Sequence, residues 1–528
     1  MIRKISALLV AVILTMTGIA VHLEAKGLVF PVQTAQGKLQ GSLALDGKVV
    51  AYKGVPYAAP PVGNLRWQPP QPVKSWDGVK KADTFGASCL QGKNSRLPWT
   101  KEFMVQNEVS EDCLYLNVWT PAKKANAPLP VFVYIHGGGF GEGSGAIESY
   151  QGANLAEMGV VVVTINYRLG IPGFLVSPEL TAESPHHASG NYGLLDQVAA
   201  LQWIKDNIKG FNGNPRNVTI CGQSAGAASV HYLTASPLAK GLFQRAIAES
   251  GSSLTGFPMR SLAEAEKKGA EFLASKHATT LAEARALPAA DLLFEGAAPG
   301  AGPYATDIDG WFLPQDVTST FAAGRQNDVP FMTGNTSEDA APLFGPHVTA
   351  DKYVEFAQQR YKELAQRYLD LYPAKTDDEV LQAQIKAGQD RGRVSTYLFV
   401  LRRNETSKTP AYTYYFDRAT PWPEHPEFGA FHTSDIPYMM RNLKLVDHPY
   451  EAADYKVSDT MSQYWINFMK KGDPNGQGLP HWDAVSKEKK QVQEIGVRTG
   501  PIPLADPDKL NFWMDYFASP VSKNAPMF

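Results

Sequence analysis

Three short stretches constrain this chain more than anything else in it. Val131–Ile135 (VFVYI), Val160–Ile165 (VVVVTI) and Val218–Ile220 (VTI) are apolar without alternation. A strand with one face in water alternates polar and apolar residues, so an unbroken apolar run has both faces covered. Helical patterns lie between these runs, most clearly over Leu195–Ile204. Short buried strands alternating with helices predict an α/β chain with a mostly parallel central sheet, covered by helices on both faces. Tyr353 to Tyr372 reads as a further amphipathic helix, with mixed charge on its outer side. A chain of 528 residues could hold about two or three domains. It has no internal repeat, low-complexity tract or long Gly/Ser linker, so residues 26–528 read as one unit with long inserted loops. Ligands of such sheets sit beyond the carboxyl ends of the strands.

One function class drops out early. The formal net charge of −2, with no long basic run, argues against a nucleic acid partner. The first 25 residues read as an export signal rather than as part of the fold. Arg3 and Lys4 precede an apolar stretch from Ile5 to Val21, and Ala20 and Ala25 offer cleavage points. An uncleaved anchor is the alternative, because the run approaches spanning length. After signal removal the chain is expected to be secreted or periplasmic, with no further membrane span.

The chemistry starts at residues 217–230, NVTICGQSAGAASV. A strand runs into Gly222-Gln223-Ser224-Ala225-Gly226, and small, helix-tolerant residues follow. A nucleophile on a tight strand-to-helix turn sits where neighbouring side chains would collide with strand and helix. Glycines at 222 and 226 remove those collisions and leave the Ser224 hydroxyl above the sheet. The helix starting at Ala225 turns its N–H groups toward the same point. A second strand, ending at Ile135, runs into His136-Gly137-Gly138-Gly139-Phe140. Consecutive glycines let the backbone come close to a ligand, so the amides of Gly138 and Gly139, with that of Ala225, are candidates for an oxyanion hole. Losing one such donor costs about 3–4 kcal/mol of transition-state stabilisation. The run Gly141 to Ala146 also fits a dinucleotide fingerprint, but no acidic residue stands between Glu157 and Glu179 to hold a ribose. No cofactor is expected.

A serine nucleophile needs a base, and the base needs an acid to orient it. The chain order serine, acid, histidine leaves His347, His425, His432, His448 and His481 of the 11 histidines. His432 lies among small residues in GAFHTSD (429–435) and is the candidate base; the other four read as surface groups. His186-His187 and Asp307-Ile308-Asp309-Gly310 hint at metals, but neither has the remaining ligands in register. No metal is expected.

With these residues assembled, the sequence resembles the type-B carboxylesterases, relatives of the cholinesterases. The resemblance rests on EDCLYLNV (111–118), NYRLG (166–170), GNYGLLDQ (190–197) and YWINFMKKGDP (464–474), in family order. It implies an α/β-hydrolase fold, a small-molecule ester substrate in a deep gorge, and no cofactor. It carries the nucleophile to Ser224, the base to His432 and the oxyanion donors to Gly138, Gly139 and Ala225. The family has an acid five positions after a glycine. Gly334 puts Asp339 there, and Glu338 takes the place if the loop slips by one residue. Gln223 stands where the family commonly has Glu, which weakens a case for cationic, choline-like substrates. The resemblance also implies a disulfide between Cys89 and Cys113, leaving Cys221 as a buried, inert thiol. The alternative reading is a more specialised esterase acting on aryl (feruloyl-type), polyester or toxin side-chain esters, and a lesser one is a non-catalytic binding protein on the same fold. Binding proteins of that kind lose members of the triad.

Overall fold

The three apolar runs lie side by side in the middle of one sheet. The computed structural model describes residues 31–93, 101–123, 125–251, 259–293, 302–339 and 348–524. Among these, eleven strands form the main sheet. They are β1 (Ser42–Ala44), β2 (Val49–Pro56), β3 (Tyr115–Pro121), β4 (Leu129–Ile135), β5 (Val161–Ile165) and β6 (Gly213–Gln223). The second half supplies β7 (Arg245–Glu249), β8 (Phe331–Thr336), β9 (Ala411–Phe416), β10 (Gln491–Ile495) and β11 (Gly500–Pro503). Their order across the sheet is β11-β10-β9-β8-β7-β6-β4-β5-β3-β2-β1. From β5 to β10 every neighbouring pair is parallel. Antiparallel pairs close both margins.

The order reverses around β4: the chain goes to β5 on one side, then returns to place β6 on the other. Such a switch point opens a crevice at the carboxyl ends of the strands. Here β4 ends just before His136 and β6 just before Ser224.

The absence of alternation is explained by two cores. Val131, Val133, Ile135, Val161, Val163 and Ile165 face one core, with helices α1 (Tyr192–Asn207) and α2 (Ala225–Ala235) over them. Phe132, Tyr134, Val162, Cys221, Ile247 and Met332 face the other, packed on Met461, Trp465 and Phe468 of helix α4 (Ala452–Lys471). A third apolar cluster joins helix α3 (Asp377–Asn404) to helix α5 (Pro507–Ala518) through Tyr361, Tyr368, Phe512 and Trp513.

The expected helix from Tyr353 to Tyr372 is broken. It forms as Tyr353–Tyr361 and Ala365–Leu371, with a 3₁₀ turn between them. Lys362 adopts φ 51°, which ends the first segment. The gain is a kink that stacks Tyr361 on Tyr368, with ring centres 4.1 Å apart.

Cys89 and Cys113 are joined across a sequence separation of 24, and Cys221 is a buried free thiol. By loop-closure entropy the bridge stabilises the fold by about 3 kcal/mol. A Cys89→Ala/Cys113→Ala double variant is expected to lose that amount in a urea melt, with activity retained below the transition. The segment read as an export signal and His347 lie outside the described residues. Among the described residues, no helix is long and apolar enough to cross a membrane.

Candidate active site

Strand β6 ends at Gln223, helix α2 begins at Ala225, and Ser224 is the corner between them, at φ 59° and ψ −120°. A non-glycine residue held there costs about 1–3 kcal/mol and persists only when its surroundings fix it. One fixing contact is the Ser224 N–H, which donates to the Glu249 carbonyl at 2.9 Å. The flanking glycines serve close packing. A Cβ on Gly222 would lie 2.3 Å from the Gly226 carbonyl oxygen, and one on Gly226 would lie 2.0 Å from the Ile135 carbonyl oxygen. The corner therefore presses directly on β4. Gly226→Ala is expected to cost about 3 kcal/mol or more, because only backbone could yield. A thermal melt of the variant checks this.

The loop after β4 turns through Gly138 (φ 105°), Gly139 (φ 60°) and Phe140 (φ 61°). Among the described residues, no protein acceptor takes the N–H of Gly138 or Gly139. The Ala225 N–H opens helix α2, where the first turn has no partner within the helix. His136 braces this loop. Its ring is buried, stacks on Tyr167 at 4.4 Å and donates from Nδ1 to the Gly137 carbonyl at 2.8 Å. Burial pushes its imidazole down to about 4, so it is neutral at neutral pH. A Cβ on Gly143 would lie 2.3 Å from His136 Nδ1. The Gln91 amide pairs with both the N–H and the carbonyl of Gly143, each at 2.8 Å. The dinucleotide-like glycines thus pack against the protein's own strand and histidine.

The candidate acid and histidine follow the strands β8 and β9. His432 Nδ1–H donates to Asp339 Oδ1, and both side chains are largely buried. That tautomer leaves Nε2 as the basic nitrogen of the ring. Gln223, next to the serine, donates from Nε2 to the His432 carbonyl at 2.6 Å. This contact seats the His432 backbone beside the Ser224 corner, and an ionised Glu at 223 could not make it.

Glu338 faces elsewhere. Its Oε2 accepts from the Ala430 N–H at 2.7 Å and from the Ser337 hydroxyl, and its Oε1 accepts from Gln389 at 3.2 Å. Its own N–H donates to the Ala430 carbonyl at 3.1 Å in a bridge beside Phe431. Successive side chains of an extended chain point to opposite sides. Glu338 therefore pins the 430–431 segment while Asp339 meets the imidazole.

The remaining histidines divide. His425 and His481 are exposed, at 45% and 74% of the side chain. His448 is not the surface group expected: its side chain is 4% exposed, against Trp422 and facing Glu102 Oε1 at 3.3 Å. A flanking sequence of charged and turn residues hid that packing. His186 and His187 are exposed, with His186 stacked on Trp311 at 3.9 Å. Asp309 accepts from the N–H groups of Trp311 (3.0 Å) and Leu313 (2.9 Å) and so closes its own turn. No group of three or more metal-ligating side chains occurs among the described residues. Two fully buried carboxyls near the corner, Glu249 and Asp435, were missed by sequence reasoning. The available signal was an acid at the end of an apolar strand and another three residues after the candidate histidine.

A mostly parallel sheet, covered on both faces, with a serine at a strand-to-helix corner at its carboxyl edge, defines the α/β-hydrolases. Residues 30–513 match the model of the Carboxylesterase family. The chain belongs to that family and is a carboxylic ester hydrolase. It is 33% identical over 483 residues to the fumonisin B1 esterase of Sphingopyxis macrogoltabida, covering 88% of this chain and 86% of that one. It is 33% identical over 543 residues to the liver carboxylesterase of Sus scrofa, covering 94% of each. It is 32% identical over 530 residues to the cocaine esterase of Homo sapiens, covering 92% of this chain and 91% of that one.

Proposed function

We propose that the chain is an exported serine carboxylesterase that works through Ser224, His432 and Asp339 by way of an acyl-enzyme. The observation that carries this reading is the pairing of a serine at φ 59° with a His–Asp pair held beside it by the 2.6 Å Gln223 contact. His432 Nε2 takes the Ser224 hydroxyl proton as Oγ attacks the ester carbonyl carbon. The amides of Gly138, Gly139 and Ala225 receive the oxyanion. Asp339 keeps Nδ1–H donating, so the imidazolium is stabilised in the orientation that returns its proton. As the tetrahedral species collapses, the ester C–O bond breaks and the Nε2 proton passes to the leaving alcohol. Water then gives its proton to His432, attacks the acyl carbon and releases the acid and the serine.

The substrate is a small carboxylic ester. Turnover of p-nitrophenyl esters from acetate to palmitate tests this, with short chains expected to be preferred. A profile that rises to palmitate would replace the carboxylesterase reading with a lipase. A narrower substrate, of the kind named for the fumonisin B1 esterase, would show as weak turnover of every simple ester beside rapid turnover of that compound. Export is supported by the Cys89–Cys113 bridge, since disulfides persist in oxidising compartments. Expression with and without residues 1–25, followed by fractionation, tests it.

A further inference from the structure

Gly138 and Gly139 turn with positive φ, but Gly141 does not, so its conformation alone does not call for glycine. The reason is a side chain that arrives from far along the chain. A Cβ on Gly141 would lie 2.6 Å from the Tyr304 hydroxyl oxygen, well inside contact distance. Its next neighbours would be the Tyr304 Cζ at 3.6 Å and the Gly138 carbonyl oxygen at 4.0 Å, both in ordinary contact. One atom, the phenol oxygen, therefore fills the place where a side chain at 141 would begin.

Tyr304 is held there from both ends. The Arg260 guanidinium donates from Nη2 to the Gly302 carbonyl at 2.8 Å, and the Arg260 N–H donates to the Thr306 carbonyl at 3.2 Å. Thr306 Oγ1 lies 3.1 Å from the Tyr232 hydroxyl. Tyr232 in turn stacks on Phe140, the residue before Gly141, with ring centres 6.3 Å apart. Segment 302–306 and the glycine loop are thus fastened to the same ring. Ser224, Gly138, Gly139, Gly141 and Tyr304 are each partly exposed, while Gly137 and Ala225 are buried. Tyr304 therefore stands on accessible surface beside the candidate oxyanion donors, where a substrate would pass.

Resting on the assignment of Ser224 as the nucleophile and of the glycine loop as the oxyanion hole, we infer that Tyr304 is a specificity-determining residue. Its hydroxyl takes the place of a side chain at 141 and hydrogen-bonds a hydroxyl or carbonyl group that the ester carries close to its scissile bond. A tyrosine hydroxyl both donates and accepts, so it can keep a protein partner and still meet a substrate. Against an aliphatic group the same hydroxyl loses water and gains nothing, which penalises the plain ester. A wall built to hydrogen-bond rejects the analogue lacking the polar group more sharply than an apolar wall rejects one that adds it. The substrate class is therefore a small oxygenated ester in preference to a plain aliphatic one.

The test is the ratio of kcat/KM within two pairs of esters that differ by one hydroxyl. Ethyl lactate against ethyl propionate places the group on the acyl side, and hydroxyethyl acetate against ethyl acetate places it on the alcohol side. A ratio taken in one enzyme cancels the fraction of folded protein, so a merely structural role does not move it. The intrinsic reactivity of each ester cancels when variant and native ratios are compared. In Tyr304→Phe the preference for the hydroxylated member of at least one pair is expected to fall by about threefold to tenfold, the worth of one hydrogen bond. The fall should come from a lower kcat/KM for the hydroxylated ester, with that for the plain ester held or raised. Gly141→Ala should lower the same ratio, because its Cβ displaces the hydroxyl. Gly141→Ala/Tyr304→Phe should match Tyr304→Phe alone, since without the hydroxyl the added Cβ meets only ordinary contacts. Native ratios in both pairs for Tyr304→Phe overturn the inference, as does a Gly141→Ala ratio that stays native. Ser224→Ala separates the two levels. Turnover surviving in that variant removes the assignment underneath, whereas an inactive Ser224→Ala beside unmoved ratios removes only the role of Tyr304.

Discussion

Ser224→Ala is expected to lower kcat for every ester the native protein hydrolyses by at least about 10⁴-fold, with an unchanged melting curve. The two halves of this expectation have separate physical grounds. The chemical half follows from the mechanism: without Oγ there is no atom to form the acyl-enzyme, and the amides of Gly138, Gly139 and Ala225 are left to favour direct attack by water. The structural half follows from the backbone. Serine and alanine both carry a Cβ, so the strain at φ 59° is the same for either. The contact that fixes the corner is the backbone N–H donated to the Glu249 carbonyl, and the variant keeps it. Residual turnover near the native rate would remove Ser224 as the nucleophile. A second readout guards against an esterase contaminant: a fluorophosphonate should add mass to the peptide holding Ser224 in the native protein and leave Ser224→Ala unlabelled. A native protein that neither turns over esters nor takes the label would be a binding protein on this fold.

The elements legible in the sequence were those with a one-dimensional signature. Unbroken apolar runs gave β4, β5 and β6, because a strand buried on both faces has no other composition open to it. The serine corner and the glycine loop were legible because their geometry excludes side chains, and exclusion leaves glycines. The family motifs could be recognised without their purpose being visible. In the structure they are mostly clamps. Arg168 of NYRLG holds Asp196 of GNYGLLDQ through a buried two-pronged ion pair, at 2.7 and 2.8 Å. Asn166 takes the Gly145 N–H at 2.8 Å and donates to the Ala87 and Cys113 carbonyls. Asn117 ties Gly54 to Gly145. Asn166 and Asn117 thus both hold Gly145, just beyond the glycine loop. Illegible were features set by contacts distant in sequence. The kink at Lys362 lets Tyr361 stack on Tyr368 and pack against Phe512 and Trp513, far along the chain. His448 is covered by Trp422, 26 positions earlier, and Asp435 meets Tyr414 from a neighbouring strand. No local pattern encodes such meetings.

The choice between Glu338 and Asp339 was open for the same reason, and it yields the sharpest contrast between two adjacent residues. Asp339→Asn is expected to lower kcat by about 10³–10⁴-fold while leaving KM and the melting temperature nearly unchanged. An amide at 339 can present its NH₂ to His432 Nδ1, which favours the tautomer with the proton on Nε2, where it cannot accept from Ser224. Glu338→Gln should do the reverse. It keeps the imidazole oriented, so kcat stays within about tenfold. It weakens the charge-assisted bond from the Ala430 N–H, so stability falls by about 1–2 kcal/mol. Burial raises the Glu338 carboxyl above its usual range, and the Ser337 and Ala430 donors partly offset that. On the proposed assignment, its contribution is expected to be that of a well-bonded buried group rather than of a catalytic charge. Steady-state kinetics and a urea melt on the two variants separate the roles. A catalytic collapse in Glu338→Gln with a mild effect in Asp339→Asn would mean that the chain after β8 slips by one residue when substrate is bound. The two carboxyls would then exchange sides, because along an extended chain a shift of one position moves every side chain to the opposite face.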